Sequence, residues 1–434
     1  MIDQTAAGLI MIALLPILLL VGTSIGVALA ACGIIGLLLT RGWMPLDFLI
    51  GTFSYAYTAN LAFIVLPLFL FMGHMTFVTG VSDRAFNAAQ VLIGNVSGGL
   101  AMATVAASAG FGLVCGSSVA AASTIGKIAI PEMLKRGYAP RLAAGVVAAG
   151  GTLGVLIPPS GILVVYSIAT QTSLVDLFMA ALIPGLLTAV AYAALVYGTV
   201  KVKPSMGGVR QAPTSAEGKI KALFASWEIL VLATVVMGGI YLGIATPTES
   251  AALGALIATL LVLRQKKGKR MRMIRDGLFE TGAATSSIFL LIIGAGLFSL
   301  ALATTQIPVH LADWAVGVSQ NRYLVLLLIL VPFFILGCFV DGISMLLLTL
   351  PIVFPVITRL GFDPIWFGII VTKTVEIGLM TPPVGLNAFV VRSVAPEIPL
   401  QEVFRGCVPF IIVELLLIVA LIAWPGMTTV LLQR

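Results

Sequence analysis

Four short motifs break long apolar runs in this 434-residue chain, and chemistry has to be sought at those breaks. Gly116-Ser117-Ser118 and Val340-Asp341-Gly342 each split one run. Leu156-Ile157-Pro158-Pro159-Ser160-Gly161 and Met380-Thr381-Pro382-Pro383-Val384-Gly385 split the run that follows each. A double proline ahead of glycine cannot continue a helix and leaves carbonyls and amides free. Free carbonyls suit a hard cation such as Na⁺, and free helix N-termini suit an anion. The candidate cation shell is therefore Gly116, Ser117, Gly154, Pro158, Asp341, Gly342, Gly378, Thr381 and Pro382. Ser117, Ser118, Ser160, Thr381 and Asn387 are the candidate contacts to an anionic ligand.

Asp341 has no basic residue within four positions, and a carboxylate inside a membrane points to function, with a local helix cap as the competing account. Glu376 follows Lys373 by one turn, which reads as an internal ion pair. Lys127 either snorkels or neutralises an anion. Thr246-Pro247-Thr248-Glu249 reads as a helix start with a capping box. His74 and His310 have no partner at ligand spacing, and Cys32, Cys115, Cys338 and Cys407 read as small buried hydrophobes. No phosphate loop of the GxxxxGK[ST] type occurs. These residues carry no catalytic constellation, so the expectation is no enzyme and no ATP hydrolysis.

The elements that position these motifs follow from composition. The chain is 60% hydrophobic and 9% charged, against about 25% charged residues in an ordinary soluble domain. No Asp, Glu, Lys or Arg occurs between Asp3 and Arg41, or between Asp47 and Asp83. Such runs exceed the ~20 apolar residues that span a bilayer, and in lipid they must be helices. They lack the alternation of a membrane β-barrel. The net charge of +7 does not imply nucleic acid, because half of the 24 basic residues sit in two clusters, at 201–221 and 264–275, between apolar runs. Both read as cytoplasmic loops. The N-terminus lacks a basic leader and a cleavage site, so its apolar run reads as a membrane helix.

The chain also matches itself at an offset of 224 residues: Pro131 with Pro355, Gly137 with Gly361, Pro140 with Pro364, Gly154 with Gly378, Pro158 with Pro382, Pro159 with Pro383, Gly161 with Gly385. Gly and Pro fix backbone shape, so the shared property is a backbone path. Lys135, Arg136 and Arg141 in the first copy, against Arg359 with Asp363 in the second, put the two middle loops on opposite faces. The expected fold is an all-α polytopic membrane protein with an inverted repeat, two re-entrant hairpins and two broken helices. Its units are scaffold helices over 1–94, a first repeat over 95–200 (hairpin 98–134, broken helix 141–170, span 174–200), linking helices over 201–319, and a second repeat over 320–434 (hairpin 323–358, broken helix 364–393, final span 402–431).

Gly-Ser-Ser-Val-Ala at 116–120, Ile-Pro-Glu-Met at 130–133, Arg-Gly-Tyr at 136–138, Gly-Thr-Leu-Gly-Val-Leu-Ile-Pro-Pro-Ser at 151–160, Thr-Pro-Thr-Glu at 246–249 and Gly-Leu-Met-Thr-Pro-Pro-Val-Gly-Leu-Asn at 378–387 carry a resemblance. The chain resembles the large, DctM-type permease subunit of tripartite ATP-independent periplasmic (TRAP) transporters over nearly its whole length. The resemblance implies an elevator-type architecture in the bacterial inner membrane and Na⁺ as the coupling ion, with no other cofactor. It further implies a small DctQ-type membrane subunit and a periplasmic binding protein as partners. The implied cargo is a carboxylate-bearing solute of the dicarboxylate or acid-sugar class. The repeat uses up the helices, so the small subunit is expected as a separate chain. A single-component carboxylate carrier, driven by Na⁺ or H⁺ without a binding protein, is the alternative.

Overall fold

The computed structural model describes residues 3–43, 52, 55, 58, 59, 61–210, 212, 214–319 and 321–432, whose regular elements are all helical. Residues 44–51, within the N-terminal unit expected over 1–94, lie outside them.

The charge-free run after Asp3 forms two helices, α1 (Gln4–Leu20) and α2 (Ile25–Arg41). Next come α3 (Val65–Val78) and α4 (Val81–Ile93), bent by 68° from each other. The first copy is α5 (Gly99–Cys115), α6 (Ser118–Lys135), α7 (Pro140–Leu156), α8 (Gly161–Thr170) and α9 (Leu174–Val202). A linking region holds α10 (Ala216–Ala225), α11 (Trp227–Ala233, continued by a π turn to Tyr241), α12 (Pro247–Leu263), α13 (Lys267–Thr304) and α14 (Ile307–Val318). The second copy is α15 (Arg322–Gly337), α16 (Gly342–Arg359), α17 (Pro364–Met380), α18 (Leu386–Val394) and α19 (Leu400–Ala423). Among the described residues, α9, α13, α16 and α19 are each long and apolar enough to cross a bilayer singly.

Two readings are corrected. The basic cluster at 264–275 is no loop, because all of it after Lys266 lies in the first turns of the 38-residue α13. Lys and Arg are good helix formers, and no proline intervenes. The last span stops at Ala423 rather than 431, since Pro425 has no amide with which to continue it.

The repeat is visible as geometry. The 18-residue helices α6 and α16 start 224 positions apart, at Ser118 and Gly342. The 17-residue helices α7 and α17 do the same, at Pro140 and Pro364. Helix α19 reveals their relative direction. Near its start, Gly406 packs on the backbone of Arg141 and Gly145, at the start of α7. Fifteen residues later, Leu421 accepts a 3.0 Å hydrogen bond from Trp366 Nε1, at the start of α17. At 1.5 Å per residue those points lie about 22 Å apart, so matched helix starts sit at opposite ends of the bundle. Tyr166 near the end of α8 donates a 2.6 Å bond to the Pro364 carbonyl at the start of α17, which closes the antiparallel arrangement. The two copies are inverted.

Outside the copies, α13 packs along α2 with the backbones nearly touching. A Cβ added at Gly33 would lie 2.6 Å from the Leu297 carbonyl carbon, and one at Gly294 would lie 2.1 Å from the Gly26 carbonyl oxygen. Small residues permit this approach where lipid supplies no hydrophobic drive between helices.

Candidate functional site

The tip of the first hairpin forms because Gly116 ends α5 at φ +63°, a conformation that costs glycine little. Ser117 then caps α6, its hydroxyl accepting from the Ala120 amide at 3.4 Å. In the second hairpin Asp341 occupies the matched position. Its Oδ1 accepts from the amides of Ile343 and Ser344, both at 3.1 Å. Oδ2 receives no hydrogen bond among the described residues, so the same carboxylate caps a helix and keeps one oxygen free.

Each tip is tied to the break of its own copy. The Gly161 amide donates to the Gly116 carbonyl at 3.4 Å, and the Gly385 amide donates to the Cys338 carbonyl at 3.0 Å. The copies are also tied across the centre. Ser118 donates to Asn387 Oδ1 at 2.8 Å, and Asn387 Nδ2 donates to the Ala148 carbonyl at 3.0 Å. All four breaks therefore converge on one region.

A cavity of about 400 Å³ lies there, lined by Gly116, Ser117 and Ser118 of one tip and Asp341 and Gly342 of the other, with Ser287 and Leu291 of α13 opposite. A second cavity of about 390 Å³ shares Cys115, Ser117 and Ala284 with it. This one runs along the α6 face Ser123–Thr124–Lys127, towards the Lys135–Arg141 end, and is faced by His74 of α3 and Glu280 of α13. On the other side of the tips the residues matched to Ser123, Thr124 and Lys127 are Leu347, Leu348 and Pro351 of α16, and Leu347 and Pro351 line an apolar wall with Leu350 and Phe354. It leaves only about 120 Å³ against Ala295, Gly296 and Ser299 of α13.

The remaining candidates are placed differently. Ser160 and Asn387 are fully buried and do not line these cavities. Ser160 caps α8 through the Leu163 amide at 3.3 Å, and Asn387 is the cross-copy tie. Thr381 donates its hydroxyl to Ile377 of its own helix at 2.6 Å. Gly154 and Gly378 are helix crossings: a Cβ at Gly112 would lie 3.0 Å from Gly154 Cα, and one at Gly378 would lie 2.5 Å from the Gly337 carbonyl carbon. Pro158 is buried, and with no amide it leaves the Gly154 carbonyl without its helical donor. Pro382 is exposed.

Sequence reading missed a buried ion cluster. Lys373 donates to Glu376 Oε2 at 2.8 Å, as the spacing suggests, and to Thr188 at 2.9 Å. It also pairs with Glu414 of α19, which in turn accepts from the Tyr192 hydroxyl of α9. Lys373, Glu376 and Glu414 are 0% exposed, so the cluster joins both copies inside the protein. The available signal was Glu414 itself, a lone carboxylate within an apolar run.

Inverted helical copies, broken around a shared cavity, are the architecture of a polytopic membrane transporter. The fold comparison agrees: the Alcanivorax borkumensis YdaH transporter superposes with a TM-score of 0.64 at 15% identity, covering 88% of this chain and 90% of that one. Residues 11–427 match the family described as tripartite ATP-independent periplasmic transporter, DctM component, and the chain belongs to that family. It is 36% identical to a C4-dicarboxylate TRAP transporter large permease protein of Pseudomonas aeruginosa, over 84% of each chain. It is 33% identical to a sialic acid TRAP transporter large permease protein of Vibrio cholerae, again over 84% of each. An isethionate TRAP transporter permease of Oleidesulfovibrio alaskensis is 32% identical, over 89% of this chain and 60% of the longer relative. The chain is thus a multi-pass inner-membrane protein, the large permease component of a TRAP transporter.

Proposed function

We propose that this chain carries a carboxylate-bearing solute, of the dicarboxylate or acid-sugar class, into the cell by Na⁺ symport. A periplasmic binding protein delivers the solute, and a small DctQ-type subunit, a separate chain, completes the membrane complex. The observation that carries this reading is the 400 Å³ cavity walled by both hairpin tips and by α13. The Gly154 carbonyl, the Ser117 hydroxyl and the free Asp341 oxygen are oxygen ligands of the kind Na⁺ prefers. Substrate selection rests with the cavity wall, since the relatives are named for different substrates. In an elevator cycle the two copies move as one body against α2, α3 and α13. The first copy carries a cavity of about 390 Å³ along the Ser123–Thr124–Lys127 face of α6, and the apolar face of α16 leaves only about 120 Å³ against α13.

The test is uptake into proteoliposomes holding the large and small subunits, with binding protein and labelled acids supplied outside, with and without a Na⁺ gradient. Ser117→Ala and Asp341→Asn should raise the Na⁺ concentration for half-maximal uptake several-fold while the protein remains in the membrane. Unchanged Na⁺ dependence in both variants would show the tips to be structural caps. Full uptake without binding protein would favour the single-component alternative.

A further inference from the structure

We propose that Lys127 is a second station for the solute's carboxylate, between the tip cavity and the cytoplasm. It rests on the reading that the chain moves a carboxylate, and adds a site that neither the tips nor the breaks supply. Lys127 stands on α6 ten residues beyond Ser117, about 15 Å along the helix axis. A small dicarboxylate held at the tips does not reach that far, so the two positions are separate stops on one route.

Three observations point the same way. Lys127 is an exposed residue that lines the 390 Å³ cavity, which shares Cys115, Ser117 and Ala284 with the tip cavity. Among the described residues it forms no ion pair, whereas Arg136, two turns later on the same segment, is held by Glu132 at 2.7 Å. An ionisable side chain on a membrane-spanning segment that is committed to no ion pair and borders a cavity points to an ion pathway. The hydroxyls of Ser123 and Thr124, one turn nearer the tips, give a carboxylate further donors on the same face.

The groups opposite set how firmly an anion is held. Glu280 and Thr281 of α13 and His74 of α3 face Lys127 across the cavity. The Glu280 carboxylate competes for the ammonium and repels an anion. The station therefore attracts the solute without trapping it, as conduction requires. The matched residue in the second copy is Pro351, in an apolar wall. The station is one-sided, so it acts on exchange at the cytoplasmic face alone.

The experiment uses the complete transporter in proteoliposomes of defined orientation, with labelled succinate and N-acetylneuraminate as probes. The wild type is measured first; if it moves neither acid, the carboxylate reading itself fails and the station falls with it. With the acid that is moved, KM is measured for exchange from the cytoplasmic face and for binding-protein-dependent uptake from the periplasmic face. Lys127→Gln should raise the cytoplasmic KM about tenfold, the scale of one charge-assisted hydrogen bond, and leave the periplasmic KM unchanged. Lys127→Arg should stay near wild type. The unchanged periplasmic value also controls for folding. An unchanged cytoplasmic KM, an equal change at both faces, or no rescue by Arg would each overturn the station.

Discussion

The two inverted copies share a backbone but not a chemistry. Along the hairpin helix beyond the tip, the first copy presents Ser123, Thr124 and Lys127, and the second presents Leu347, Leu348 and Pro351 at the same offset. The first face borders a cavity of about 390 Å³ on α13, the second one of about 120 Å³. Deeper inside the contrast reverses. The first copy has Ala149 and Thr152 where the second has Lys373 and Glu376, fully buried with Glu414. Gly and Pro positions preserve the path of the chain, and the residues between them set which half borders the larger cavity and which half carries the buried charges. An inverted repeat thus supplies two similar gates that need not be equally wet at the same moment.

The largest expected effect tests the inner contrast. Lys373→Met leaves Glu376 and Glu414 buried without their cation, and breaking a buried pair costs about 3–5 kcal/mol. The purified variant should show a large drop in melting temperature. Adding Glu376→Gln and Glu414→Gln should restore most of it, because a neutral cluster carries no uncompensated charge. A single variant as stable as wild type would mean that the second copy's charges do not lock it.

A smaller effect separates the matched crossings at Gly154 and Gly378. An alanine Cβ at 378 would lie 2.5 Å from the Gly337 backbone, which cannot move aside without parting α15 from α17. At 154 the nearest atoms, Ala121 Cβ and the Ser117 carbonyl oxygen, are 3.3 Å away. Gly378→Ala should therefore cost about 1–3 kcal/mol, and Gly154→Ala clearly less, when both melts are compared. Equal losses would mean that the two crossings are equally tight.

Much of this architecture is legible in the residues because Gly and Pro act locally. Gly116, Gly137 and the two Pro-Pro pairs dictate breaks whatever surrounds them, so the hairpins and the 224-residue repeat can be read directly. The capping box at Thr246–Glu249 is likewise local, and the structure contains both of its bonds. The pair Lys373–Glu376 is visible for the same reason, as an i,i+3 contact. Its partners Glu414 and Tyr192 come from other helices, and no spacing rule predicts which helices meet. Ser160 and Asn387 show the converse limit. A hydroxyl or amide beside a break has several backbone groups in reach, and only packing decides whether it turns to the cavity or to a helix end. Lys127 becomes informative only once the face it shares with Ser123 and Thr124 is known to border a cavity.

The account depends above all on the copies being inverted in the membrane. Single cysteines placed at Lys135 and at Arg359, each near the end of a matched hairpin helix, can be labelled with a membrane-impermeant maleimide in vesicles of known sidedness. The native cysteines are buried, so the unsubstituted protein supplies the background. The account predicts that position 135 labels only from the cytoplasmic face and position 359 only from the periplasmic face. Labelling of both from one face would contradict the inverted repeat, and with it the shared cavity and the one-sided route.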